Sequence, residues 1–515
     1  MKKIKPIIFY VIFFLFVLAF VTTSEAYDYD LWARLIVGMG VVQTGHVFKH
    51  DFLSYMPTHT WYDHEWGSSV IFYLTQHFLG AAGILILQAL LIFLIFFVIS
   101  KIIKMHEVKT THPFNFLFYY AAFIAIADSV TQPIRCQMFS FLFFAVFIYI
   151  LEKVRLSKSS DKLLIWLPVI MLVWNNLHGG CVSGIGLIVL YALGEFLNKK
   201  PFMKYIYAFL GSVAVLPINP WGFEYLVYLF KANTMQRTYV TEWAGLFSKH
   251  YVYSRMKFKL YALIMLLVEL GVVVKQLKDK TFNFDKTKFL VIAVTLFLAL
   301  QHIKLIPFAV ITFAVFLYDD YYTALNTLTR NFFNKIATAK DTIVYVCILA
   351  FAFSRLNAKA FQPITNYQKY PVIATEFIRL NNLKGNLMVS FGYGSYVSYK
   401  LYPNVKIFID GRYEEVYDDF MLPLQSKFYL LKPGWDEVLI KYPPDIMIIE
   451  KSYPVYNALL HRKDYSLVYE DNNVGVFVTP KLVKGVNGVN GKFKKPSLDD
   501  NYYAKTLFDT SVSFK

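Results

Sequence analysis

Residues 24–69 contain S-E-A-Y-D-Y-D-L-W-A-R-L (24–35), G-H-V-F-K-H-D-F-L-S-Y (45–55) and T-W-Y-D-H-E-W-G (60–67), directly after a long apolar run. Acidic residues, histidines and tryptophans are denser here than anywhere else in a greasy chain. A loop this polar between apolar segments lies in water or lines a wet cavity, because lipid satisfies none of its hydrogen-bonding groups. Loops held by packed elements are also where function concentrates. The stretch therefore reads as the first extramembrane loop of a membrane protein and as one wall of an active site.

The composition agrees. The chain has 57% hydrophobic, 18% aromatic and 17% charged residues, where a soluble domain carries ~25% charged. The net charge of +17 does not indicate nucleic-acid binding, because the lysines cluster in short loops between apolar runs, the signature of membrane orientation. Cys136, Cys181 and Cys347 are isolated in or beside apolar segments, which leaves no disulfide framework or thiolate metal site. The opening M-K-K-I-K-P-I-I-F-Y imitates a secretory signal, but an apolar run of about 18 residues is long enough to span. It reads as a retained first span.

Basic and motif-bearing loops alternate over residues 1–355. Lys2, Lys3 and Lys5 precede the first span and put loop 24–69 outside. Lys101, Lys104 and Lys109, then Lys153 to Lys162, Lys199 to Lys204, Lys275 to Lys280 and Arg330 to Lys340 mark the opposite face. The pattern predicts about 11 spans. The loops D-S-V-T-Q-P-I-R-C-Q (128–137), W-N-N-L-H-G-G (174–180), N-P-W-G (219–222), T-E-W (241–243) and Q-H-I-K (301–304) all fall on the outer face. One outer stretch, 231–259, is basic against the orientation rule, with Lys231, Arg237, Lys249, Arg255, Lys257 and Lys259. Either its length weakens the rule or its charges meet an anionic substrate. From 356 to 480 short strands alternate with helices, which predicts a small α/β domain, and 481–515 reads as a flexible tail. The expected fold is a polytopic α-helical membrane protein with a small C-terminal extracytoplasmic α/β domain.

Several residues are suited to chemistry. Asp30 opens an expected interfacial helix with Leu31, Trp32, Leu35, Ile36 and Met39 on its apolar face. Either Asp30 acts as a general base, or it pairs with Arg34 at i,i+4 while a neighbouring aspartate caps the helix. Asp51, Asp63, His64 and Glu65 form a second acidic and imidazole set. H-E-W-G-S lacks the second histidine of H-E-x-x-H, so this is not a zincin pattern. Arg135 matches bidentate phosphate binding, or snorkels to the interface. Asn176, His178, Asn219, Glu242, His302 and Lys304 are polar groups beside spans, where such residues mark a path or a site; His178 alternatively caps a span end, and Lys304 is alternatively an ordinary interfacial lysine. S-F-G-Y-G-S (390–395) is a weak nucleotide signal, and I-F-I-D-G-R-Y-E-E carries Asp410 and Arg412 on what is either a site or a structural Asp-Gly turn.

Taken together, Asp30 and Trp32; Asp51, Ser54 and Tyr55; His64, Glu65 and Trp66; Asn176, His178 and Gly179; Asn219, Pro220 and Gly222; Glu242 and Trp243; and Asp410, Gly411 and Arg412 resemble the pattern of the GT-C glycosyltransferase superfamily. More closely they resemble a group of bacterial polytopic membrane proteins. The resemblance implies an active site outside the bacterial cytoplasmic membrane. There a sugar would pass from a polyprenyl-phosphate-linked donor to a glycan or protein acceptor, with inversion. It implies a catalytic carboxylate in the first loop, Asp30 foremost with Asp51 and Glu65 as the other candidates. Arg34, His64, Arg135, Asn176, His178, Asn219, Glu242, His302, Lys304 and Arg412 would contact substrate. No metal is required, although the carboxylates and histidines are compatible with a divalent cation. The group often has histidine where this chain has Arg34, which bears on the charge state of Asp30. The alternatives are a lipid-linked oligosaccharide polymerase or flippase, a transporter, for which no inverted repeat is visible, and a non-catalytic assembly protein of the cell envelope.

Overall fold

A long apolar run has one economical way to satisfy its own backbone in lipid, the helix, and the first part of the chain is helical nearly throughout. The computed structural model describes residues 4–22, 28–106, 114–131, 133–157, 161–235, 241–249, 251, 254–324, 337–356, 361, 370–484, 493–496, 510 and 512–514. The chain divides into two units, 1–24 with 82–362 and 25–81 with 363–515. The first polar loop thus belongs with the C-terminal segment, not with the apolar helices beside it in sequence. The chain passes from one unit to the other within Trp66–Met105, where Gly80 adopts φ 63° and ψ −160°. Glycine enters that region without a Cβ penalty.

Three helices among the described residues are long and apolar enough to cross a membrane: Trp66–Met105, which runs from the second unit into the helical one, Gly179–Leu197 and Met256–Lys278. Shorter apolar helices accompany them at Ile7–Val21, Phe118–Val130, Ile303–Phe316 and Tyr345–Arg355. These helices mark an integral membrane protein. Lys2, Lys3, Lys109, Lys158, Arg237, Arg330 and Lys335, used above for orientation, lie outside the described residues. A buried ionic knot ties helix ends together in the helical unit. Arg155 of Gln137–Leu156 reaches Glu152 at 2.8 Å and Asp285 at 2.5 Å, and Asp285 caps helix Lys286–Gln301 by accepting from the Thr287 and Lys288 amides.

The second unit is built on a five-stranded mixed sheet of order β2-β1-β3-β5-β4. Strand β1 (Gly385–Met388) runs parallel to β2 (Val405–Ile407) and β3 (Ile446–Glu450), while β5 (Val474–Val478) is antiparallel to β3 and to β4 (Ser466–Glu470). These strands fall where the alternation of apolar runs and helical segments put them. The first loop continues the sheet beyond β2. Ser54 bridges Ile407 in parallel, with Ile407 N donating to Leu53 O at 2.9 Å and Tyr55 N to Ile407 O at 3.1 Å.

Helix Tyr29–Thr44 starts where the Asp28 carboxylate accepts from the Leu31 amide at 3.0 Å. The sequence suggests a helix lying on a membrane surface with one apolar face. Instead every residue from Leu31 to Val41 is buried, because protein covers the helix on several sides. Trp32 packs on Tyr396 and Tyr399 of helix Phe391–Leu401, with ring centroids 5.2 and 5.1 Å away. Gly38 passes the Ser69 carbonyl so closely that a Cβ has no room. Among the described residues of 481–515, Phe493 packs at a tilt against Phe377, and Phe514 donates its amide to Gln43 at 2.9 Å and stacks on Tyr402.

Candidate functional site

Arg34 is the hub of the first-loop acids. It stands one turn into helix Tyr29–Thr44 and its side chain is buried. Each guanidinium nitrogen faces a different carboxylate: Nη1 lies 2.6 Å from Asp63, Nη2 lies 3.2 Å from Glu415 and Nε lies 3.4 Å from Glu65. His64 sits 3.7 Å from Glu65 and 3.8 Å from Glu415, and the Trp61 indole donates to Glu415 at 3.2 Å. One cation against three carboxylates leaves the cluster net acidic. Burial pushes the Glu415 carboxyl above its ordinary range; Arg34 and His64 pull it down, and Glu65 and Asp63 push it up again. Desolvation and neighbouring carboxylates are the two ordinary causes of such a rise. His64 and Glu65 carry imidazole and carboxylate donors of the type that ligates divalent cations.

Glu415 is absent from the candidates drawn from sequence. It lies 381 positions from its partner Arg34, and its only local signal is the pair of acids following the D-G-R turn. Asp63 was recognisable as part of an acidic set, yet nothing local marked it as the shortest partner of Arg34.

A second buried cluster secures the loop. Arg412 Nη1 reaches Asp51 at 2.6 Å and Nη2 reaches Asp410 at 2.9 Å, with all three side chains at 1% exposure or less. The guanidinium lies 4.9 Å above the Trp61 ring. Asp51 also accepts from the amides of Leu53 at 3.2 Å and Ser54 at 2.7 Å, which explains the Asp-x-x-Ser spacing as an Asx-type turn. The Ser54 hydroxyl in turn donates to Ile407 O and Phe408 O. Burial raises the Asp410 carboxyl against the pull of Arg412. Asp30 stands in the first turn of its helix, with Oδ1 3.2 Å from where a Cβ at Gly411 would lie.

The remaining candidates belong to the helical unit. Arg135, just ahead of helix Gln137–Leu156, pairs with Glu242 of the T-E-W turn. Burial pushes Glu242 up, but Arg135, Lys304 and Arg255 prevail and hold it below the usual carboxylate range. Lys304 lies 5.2 Å above the Trp243 ring, and His302 Nδ1 is 2.6 Å from the Trp243 carbonyl. Arg135, Glu242, Trp243, His302 and Lys304 thus form one group, predominantly cationic. His178 is held differently. Its Nδ1 accepts from the Gly180 amide at 3.0 Å and lies 2.7 Å from Ser140 Oγ, which accepts from the Trp174 indole. That fixes the tautomer with the proton on Nε2. Asn176 and Asn219 donate to the Ile218 and Leu216 carbonyls and so brace the turns.

No protein-family model matches the chain, and no curated protein matches it in sequence. Among solved structures the fold is similar to the oligosaccharyltransferase of Archaeoglobus fulgidus, crystallised with a disulfide-tethered acceptor peptide containing the NVT sequon. The TM-score is 0.53 at 9% identity, over 85% of this chain and 68% of that one. At that identity the likeness concerns the fold.

Proposed function

We propose that the chain is an integral-membrane glycosyltransferase. It moves a sugar from a polyprenyl-phosphate-linked donor to an acceptor outside the bacterial cytoplasmic membrane, with about 11 spans and the α/β segment on the outer side. The observation that carries the reading is the Arg34 cluster within a fold like that of an oligosaccharyltransferase. The one arginine near Asp30 in sequence is shared among Asp63, Glu65 and Glu415.

In this mechanism Asp30 takes the proton of the acceptor hydroxyl as that oxygen attacks the anomeric carbon from the face opposite the phosphate, giving inversion. Asp51 serves as a positioning residue, since its carboxylate accepts from two amides and Arg412 and is occupied in holding the loop. Glu65 and Glu415 hold Arg34 and His64 in place. The departing lipid phosphate gathers charge in the transition state and needs a cation to stabilise it; within the helical unit, Arg135 and Lys304 are a cationic pair of the kind that holds a lipid phosphate. Glu242 keeps Arg135 oriented while no phosphate is bound.

The test is product analysis with a β-linked polyprenyl-phosphate sugar: release of polyprenyl phosphate and the anomeric configuration of the transferred sugar. Lipid phosphate released with an α-linked product supports the reading. A β-linked product would overturn direct displacement, and a donor that is bound but never cleaved would point to transport.

A further inference from the structure

The sheet of the second unit has an unused feature. Strand β1 leads through S-F-G-Y-G-S into helix Phe391–Leu401 and on to β2 at one side, while β3 lies at its other side. The carboxyl ends of β1 and β3 therefore flank a topological switch point, where open α/β sheets bind their ligands. Glu450 closes β3 there, and Ser390, just past β1, donates its hydroxyl to Glu450 Oε1 at 2.6 Å. Glu450 Oε2 and the Tyr429 hydroxyl are buried, and among the described residues neither has a hydrogen-bond partner. Tyr429 as a whole is 3% exposed. Leaving such groups unpaired costs about 1–3 kcal/mol each, so in a native site they point to a missing partner. Tyr453 packs edge-on against Tyr429 with centroids 4.8 Å apart, and Tyr393, Tyr429 and Tyr453 are all electrostatic neighbours of Glu450.

The chemistry narrows the ligand. A phosphate is disfavoured because the Phe391 amide at the helix start already donates to Gln425 Oε1 at 3.2 Å and Glu450 carries the wrong sign. Gly394, the second glycine of the G-x-G, packs against the Ile409 carbonyl and not towards an open cradle. A hard divalent cation wants six or more oxygen ligands, whereas one carboxylate and phenols are present. A carboxylate, a buried phenol and flanking aromatic rings suit a neutral ring bearing hydroxyls on its edge and C–H groups on its face.

We propose that the crevice at the carboxyl ends of β1 and β3 binds a pyranose of the acceptor glycan, with Glu450 and Tyr429 hydrogen-bonded to its hydroxyls and Tyr393 and Tyr453 against its ring. The word acceptor rests on the transferase reading; pyranose binding does not. The crevice adjoins the proposed base. Tyr29, the residue before Asp30, is a neighbour of Tyr393 and Tyr453, and its ring lies 3.0 Å from where a Cβ at Gly392 would stand.

The experiment measures binding of a panel of methyl pyranosides and N-acetylglucosamine to the full chain in lipid nanodiscs, without donor, by saturation-transfer NMR. The probes are compared with ADP and with calcium. One or more pyranosides should bind wild type, and Glu450→Gln should weaken that binding about tenfold (~1.4 kcal/mol). Tyr429→Phe, which removes only the hydroxyl, should act in the same direction. No pyranoside binding at tens of millimolar overturns the proposal. So does pyranoside binding indifferent to both variants, or a site that takes ADP or calcium instead. If transfer is never found but pyranoside binding still depends on Glu450, the transferase reading fails and this one stands. If transfer is found, Glu450→Gln must raise the acceptor KM more than it lowers kcat; the reverse would sink the proposal alone.

Discussion

Removing the Arg412 side chain tests how the first loop is held. Arg412, Asp51 and Asp410 are each at most 1% exposed at the side chain, with ion-pair distances of 2.6 and 2.9 Å. Arg412→Met keeps much of the volume and leaves two buried carboxylates without their cation. Breaking a buried pair from one side costs about 3–5 kcal/mol. At 1.36 kcal/mol per tenfold change this is roughly two to four decades in the opening equilibrium of the segment. The readout is amide hydrogen exchange at residues 51–55 and β2, which the cluster joins, in lipid nanodiscs at pH 7.5. The loss should shrink at pH 5.5, because the orphaned carboxyls take up protons and cease to be buried charges. Arg412→Lys keeps the charge without the planar fork and should fall in between. Exchange within about threefold of wild type, or a loss identical at both pH values, would refute the claim that this ion triad secures the loop.

Other consequences can be checked separately. Glu415 and Asp410 have pKa values raised by burial, so the folded state holds their protons more tightly than the unfolded chain. Their contribution to stability is full below the ordinary carboxylate range and is lost as pH rises through the raised values. Proteolytic resistance of the second unit should therefore increase from pH 7.5 towards pH 5, and Glu415→Gln should flatten that rise. Gly38→Ala drives a methyl into the Ser69 carbonyl and should destabilise the second unit by about 1–3 kcal/mol, measured by the same exchange. Ser140→Ala strips the Trp174 indole of its acceptor and His178 of a partner; a loss of about 1–3 kcal/mol should appear as a lower unfolding temperature in lipid. Arg135→Gln should lower kcat/KM for a polyprenyl-phosphate donor by about 10²-fold, the usual cost of one lost charge stabiliser, while leaving polyprenol binding unchanged.

Much of this organisation was legible in the chain itself. The apolar runs at 138–151, 181–197 and 289–300 declared their helices, because burial in lipid and backbone self-sufficiency leave no other solution. The strands around Leu387, Ile407, Ile448 and Val476 announced themselves by short β-branched and apolar runs bounded by turns. The Asp51-x-x-Ser54 and Asp410-Gly411-Arg412 motifs were visible, but their union through Arg412 was not, since hydrogen-bond partners 361 positions apart leave no periodic trace. The same holds for Arg34 and Glu415, 381 positions apart. Helix Tyr29–Thr44 read as interfacial because Leu31, Trp32, Leu35, Ile36 and Met39 make an apolar stripe. Its burial on the remaining sides follows from small residues such as Gly38 and from the cover supplied by Phe391–Leu401. Glu415 and Glu450 went unseen because single carboxylates acquire meaning only from the groups gathered around them.

The central claim is that this chain transfers sugar from a lipid phosphate with Asp30 as its base. The most direct measurement is incorporation of label from a radiolabelled polyprenyl-phosphate sugar into acceptor by the purified full chain in lipid, with wild type compared against Asp30→Asn and donor binding measured in parallel. The account predicts turnover by wild type and a loss of at least about 10²-fold in Asp30→Asn with donor binding retained. Equal turnover by both proteins would contradict it.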